Sequence, residues 1–116
     1  MDHDLGRLLD YLDDSWLSDN TIVIFSSDHG LALGSHGLMG KQNVYEAGMK
    51  VPFFVAGPGI KPGSSDALVY LHDIMPTVVD IAGGKTTEKI DGMGLRPIMS
   101  GSRPGESLLE DKVTRK

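Results

Sequence analysis

The run Thr21-Ile22-Val23-Ile24-Phe25 constrains the fold of this chain more than any other segment. It is apolar and β-branched without alternation. A half-exposed strand alternates with a period of two, whereas a strand covered on both faces reads as a continuous apolar run, the pattern of parallel sheets. Ahead of it, Leu5, Leu8, Leu9 and Leu12 recur at i, i+3, i+4 and i+7, which places them on one face of a helix over residues 4–16. Asp2 and Asp4 put negative charge at the amino end of that helix, where the backbone dipole favours it. Ser18-Asp19-Asn20 supplies the intervening turn. A helix feeding a buried strand predicts a doubly wound α/β arrangement.

A second buried strand is expected over 51–56, parallel to the first, with Pro52 confined to its start or to an edge and Gly57-Pro58-Gly59 ending it. Ala67 to Leu71 reads as a further short strand. Residues 73–82 read as a helix with Asp73 as N-cap, Ile74, Val78 and Ile81 on one face, and Gly83 at its stop. Pro76 falls in the first turn, where a missing N–H costs nothing. From Lys85 onward the patterning weakens, and no internal repeat is present.

Composition removes several classes of function. The net charge is −5, and the one basic cluster is the terminal Lys112-Val113-Thr114-Arg115-Lys116; nucleic-acid partners call for a concentrated basic face. The longest apolar runs are about six residues against the roughly 20 that span a bilayer, so no membrane span is expected. Met1-Asp2-His3-Asp4 does not resemble a signal peptide. With no cysteine in its 116 residues, the chain must bind any metal through oxygen or imidazole.

The chemistry-bearing residues follow the first strand. In open α/β sheets ligands collect beyond the carboxyl ends of the strands, and the first strand delivers Ser26-Ser27-Asp28-His29-Gly30 to that place. Asp28 is a hard oxygen ligand and His29 a borderline nitrogen ligand. Neighbours on a strand point to opposite faces, so both reach one cation only where the chain leaves extended geometry, with Gly30 helping the turn. Read alone, this triplet is equally a capping Asp beside a solvated His. Gly34-Ser35-His36-Gly37 and Gly40-Lys41 then bring a second imidazole and an ammonium into the same loop, Lys41 lying 13 positions after Asp28. Lysine is a compact point charge suited to a tetrahedral oxyanion, and glycines let backbone N–H groups approach one.

Taken in order, Asn20 to Gly30, Leu33-Gly34-Ser35-His36-Gly37, Gly40-Lys41, Tyr45-Glu46 and Lys50-Val51-Pro52 resemble the carboxy-terminal signature of the sulfatases, in the alkaline phosphatase superfamily. Asp73-Ile74-Met75-Pro76-Thr77 with Asp80-Ile81-Ala82-Gly83 is similar to the helix that follows that signature. Asp91-Gly92, Leu95, Arg96-Pro97 and Gly101 resemble, more loosely, the segment beyond. The resemblance implies an α/β fold, a partial alkaline-phosphatase-like sheet of mostly parallel strands flanked by helices. It makes residues 1–101 the carboxy-terminal part of a sulfatase catalytic domain and 102–116 a tail. It implies that Asp28 and His29 ligate a divalent cation (calcium, with magnesium as the alternative), that Lys41 contacts the sulfate group, and that His36 touches substrate or leaving group. Glu46 recurs in the family pattern and is read as a partner for a nearby cation. His3 and His72 match nothing catalytic.

The same resemblance exposes a departure. Sulfatases generate a formylglycine nucleophile from Cys or Ser in a Cys/Ser-x-Pro-x-Arg motif, and no such motif occurs in this chain. The upstream Asp pair of the cation shell is also absent, so Met1 falls where the middle of a domain is expected and the amino-terminal half is missing. The implied function is hydrolysis of sulfate esters, sulfated carbohydrates being a common family substrate, with the isolated chain inactive. Two alternatives stay open: a phosphodiesterase or phosphonate monoester hydrolase of the same superfamily, and a noncatalytic binding or dimerisation module. Members of that family are commonly exported or lysosomal.

Overall fold

The structure, a computed structural model, describes residues 1–41, 43–86 and 90–101, and the chain divides into two compact units between Pro58 and Gly59. The expected tail at 102–116 lies outside the described residues.

In the first unit, helix α1 spans Asp2–Asp14, with Asp2 and Asp4 in its first turn. Its carboxyl end runs into a short turn in which Trp16 takes a left-handed backbone, φ 59°. The leucine stripe is on one face, but none of its residues is fully buried; Leu8 and Leu9 stay 52% and 41% exposed. Strand β1, Val23–Ser26, lies where the apolar run predicts it. A two-residue hairpin follows, β2 (Ala32–Leu33) paired with β3 (Met39–Gly40), then the short helix α2 (Glu46–Met49) and strand β4 (Phe53–Ala56).

β1 and β4 pair antiparallel, Val23 opposite Ala56 and Ser26 opposite Phe53, which corrects the parallel pairing expected from the apolar run. The reason lies in the connection. A parallel return needs a crossover, usually a long helix, that carries the chain back to the starting edge. Here the residues after Ser26 go into a hairpin and a four-residue helix, so β4 begins near the end of β1 and runs back along it. The pair is held by cross-strand stacking of Phe25 on Phe54, ring centroids 5.0 Å apart, a contact of the kind that stabilises facing positions in antiparallel ladders. Nor is the sheet covered on both faces. All four β1 residues are half-buried, and β4 alternates between half-buried and exposed.

In the second unit, helix α3 (Ile74–Ile81) occupies the place predicted for it, and α4 (Arg96–Met99) follows. Gly83 ends α3 with φ 72°, a left-handed conformation that glycine adopts without a Cβ penalty. The strand expected at 67–71 is absent: the segment is irregular up to a 3₁₀ turn at Leu71–Asp73. Asp73 takes the N-cap position of α3, as expected, but its side chain makes no capping bond to that helix. Its buried carboxylate accepts from the Tyr70 N–H at 2.9 Å and the Met93 N–H at 2.8 Å. Thr77, also buried, donates its hydroxyl to the Asp73 carbonyl and accepts from the Leu95 N–H at 2.8 Å. These bonds tie two segments distant in sequence, residues 70–77 and 93–95, around Leu95, which is 2% exposed.

Candidate active site

The chain leaves β1 at Ser26 and turns at once. Ser27 donates its hydroxyl to the His29 carbonyl at 3.1 Å, a local side-chain-to-backbone bond of the sort that breaks extended geometry. Asp28 and His29 thereby come to one side, as shared ligation requires. Gly30 does not make this turn through a positive φ. Its N–H donates to the Gly48 carbonyl at 2.9 Å, and any Cβ at Gly30 would collide with the Ala47 carbonyl. The glycine is there because the backbone of α2 passes against it.

Three predicted site residues converge. Lys41, first in the loop after β3, places Nζ 3.7 Å from Asp28 Oδ2, and His29 Nε2 lies 3.9 Å from the same oxygen. The side chains of Asp28 and Lys41 are 71% and 57% exposed, so the pair is open to solvent and to an anion. The Asp28 carboxyl is held below its ordinary range, chiefly by the His29 backbone N–H donating to it, then by the Lys41 charge and by His29, with the Ser27 hydroxyl adding a little. Charge-assisted bonds of this type favour the ionised carboxylate. His29 Nδ1 lies 2.8 Å from the Gly30 carbonyl. A carbonyl can only accept, so Nδ1 carries a proton, and in the neutral ring Nε2 is the unprotonated nitrogen. This is the tautomer a metal-ligating imidazole adopts when a backbone carbonyl fixes its other nitrogen.

The donor set fits a divalent cation in part. Asp28 offers a hard oxygen and His29 a directed nitrogen, whereas calcium takes six to eight oxygen ligands. Among the described residues no group of three or more His, Asp or Glu could hold a metal.

His36 is not part of this ion-paired trio. It sits in the turn between β2 and β3 with a left-handed backbone, φ 55°, and its ring stacks on Tyr45, centroids 4.0 Å apart and planes 14° from parallel. Glu46 opens α2 and, among the described residues, has no ion-pair partner. His3 and His72 are exposed, and His72 belongs to the second unit. The sequence reading gave no role to Asn43 or to Tyr45, which it quoted only within the family pattern. Tyr45 was visible as an aromatic residue next to Glu46, but nothing in the spacing pairs it with His36.

The family model described as Sulfatase matches residues 1–84. The chain is 38% identical over 112 residues to a choline-sulfatase of Rhizobium meliloti (strain 1021), covering 94% of this chain and 22% of that protein. It is 37% identical over 101 residues to an N-acetylglucosamine-6-O-sulfatase of Bacteroides thetaiotaomicron, covering 85% of this chain and 18% of that one. A solved structure of BT4656 in complex with its substrate D-glucosamine-2-N,6-O-disulfate superposes with a TM-score of 0.80 at 39% identity, over 85% of this chain and 20% of its own. The chain thus spans only about a fifth of the length of these relatives. Within that span the match runs from α1 through α3, across every residue of the Asp28, His29 and Lys41 cluster, and the chain belongs to the sulfatase family.

Proposed function

We propose that this chain carries the cation-binding and sulfate-binding part of a sulfatase site and serves the hydrolysis of sulfuric esters only together with a nucleophile it does not contain. The observation that carries this reading is the approach of Lys41 Nζ and His29 Nε2 to one oxygen of Asp28, 3.7 and 3.9 Å away. Asp28 and His29 would hold a divalent cation, calcium or else magnesium, with water or other groups filling the shell. Bound there, the cation would supply Lewis-acid polarisation of a sulfuryl oxygen. Lys41 binds the sulfate group as a point charge and stabilises the negative charge that grows on it as the S–O ester bond breaks. His36 offers an exposed imidazole for the remainder of the substrate or for the leaving oxygen. Both the N-acetylglucosamine-6-O-sulfatase and BT4656, whose substrate is a glucosamine disulfate, act on sulfated sugars; that favours a sulfated carbohydrate as substrate here.

Attack at sulfur needs an activated nucleophile, and a serine hydroxyl is weak until a base or metal activates it. The nearest hydroxyls, Ser26 and Ser27, donate to the Ser27 and His29 carbonyls and lie outside any Cys/Ser-x-Pro-x-Arg motif. The purified chain, incubated with calcium and an aryl sulfate, is therefore expected to show background hydrolysis only. Turnover well above background that disappears in Asp28→Ala would overturn this. In a longer protein containing the chain, sulfate esters are expected to be cleaved in preference to matched phosphate diesters, and the reverse preference would favour the phosphodiesterase alternative.

A further inference from the structure

Lys41 sits in a loop that the hairpin alone would hold poorly. β2 and β3 share only two residue pairs, Ala32 with Gly40 and Leu33 with Met39, and so short a ladder is marginal in water. Two further ties close around Lys41. Asn43 donates its N–H to the Lys41 carbonyl at 3.0 Å, its amide nitrogen reaches the Gly40 carbonyl at 3.4 Å, and its amide oxygen accepts from the Tyr45 N–H at 3.2 Å. The second tie is the Tyr45 ring stacked on His36 in the hairpin turn. His36 holds a left-handed backbone between Gly34 and Gly37, both also at positive φ. A side chain in that conformation is disfavoured relative to glycine, and such an outlier calls for a use of the ring it carries.

We propose that Tyr45 is a positioning residue for Lys41: its ring, stacked on His36, ties Asn43 and Lys41 to the hairpin turn and holds the Lys41 ammonium beside Asp28. The inference deepens the anion-binding reading of Lys41 and rests on it. Stacking does this through ring faces, so Phe should replace Tyr45 and Ala should not. The contact also has two ends, so removing His36 should have the same consequence for Lys41 as removing Tyr45.

The test uses the whole chain, labelled with ¹⁵N, as wild type, Tyr45→Ala, Tyr45→Phe, His36→Ala and the Tyr45→Ala/His36→Ala double variant. The heteronuclear NOE of the Lys41 amide should fall in Tyr45→Ala and in His36→Ala, stay at the wild-type value in Tyr45→Phe, and fall no further in the double variant. Inorganic sulfate should bind Tyr45→Ala about 2- to 10-fold more weakly than wild type or Tyr45→Phe, the range expected for one aromatic contact. Where Tyr45→Ala fails to fold by far-ultraviolet circular dichroism, His36→Ala breaks the same stack from its other end. An unchanged Lys41 NOE in the alanine variants, or an equal loss in Tyr45→Phe, would overturn the positioning role. The expected NOE pattern in a wild-type chain that binds no sulfate would instead overturn the anion reading and leave the brace standing.

Discussion

Asp28 joins the strand to the chemistry, and its carboxyl is depressed for reasons that can be separated. The ionised form is favoured first by the His29 N–H, next by the Lys41 charge. A depressed carboxyl contributes its pairing above the ordinary carboxylate range and loses it only as pH falls through the lowered value. The carboxyl ¹³C resonance of Asp28 is therefore expected to titrate below the ordinary range. In Lys41→Ala its midpoint should move up without returning fully to the ordinary value, because the larger cause is a backbone N–H that the substitution leaves in place. A midpoint unmoved by Lys41→Ala would mean that the two groups do not pair in solution. Most of this cluster was legible in the sequence, since Asp28, His29 and Lys41 share one glycine-punctuated loop after a strand end and match the family pattern. The His36 partnership was not. It depends on a left-handed backbone that only the folded turn reveals, and it joins residues with no shared periodicity.

Among the elements, α1, α3 and the first strand follow from local pattern, whereas the short helices α2 and α4 and the strand direction do not. Nothing in Val23–Ser26 or Phe53–Ala56 states which way the second strand runs; that is decided by the connection, and the one between them holds a short hairpin and a four-residue helix rather than a crossover. The buried polar ties of the second unit escaped the sequence reading for a similar reason. Asp73 looked like an N-cap by its place before the helix, yet its carboxylate bonds amides at 70 and 93. Thr77 is the sharper case, because its hydroxyl is the acceptor for the buried Leu95 N–H. Thr77→Val keeps the shape and removes that acceptor, leaving a buried donor unpaired at a cost of about 1–3 kcal/mol. Urea unfolding should show that loss. Breaking the exposed Asp80–Arg96 pair with Arg96→Ala should cost under about 1 kcal/mol, as solvent-screened pairs do. Equal losses in the two variants would contradict the assigned role of Thr77.

For the molecule as a whole, large apolar side chains outnumber the places to put them. Trp16 is 91% exposed, Phe54 54% and Leu8 52%, while Ala32 and Leu95 are the buried apolar residues among those described. The relatives are about five times longer than the part this chain matches, and on the proposed reading the site would offer two cation ligands and one ammonium where sulfate-ester hydrolysis needs a filled cation shell and a nucleophile. What the chain should retain is the division of labour inside its own cluster. Calorimetric titration with calcium and, separately, with inorganic sulfate measures that division directly in wild type, Asp28→Ala and Lys41→Ala. Calcium binding should be weak, abolished by Asp28→Ala and retained in Lys41→Ala, whereas sulfate binding should be lost or strongly weakened in Lys41→Ala. Calcium and sulfate isotherms that are the same in all three proteins would contradict the assignment of the cation to Asp28 and of the sulfate to Lys41.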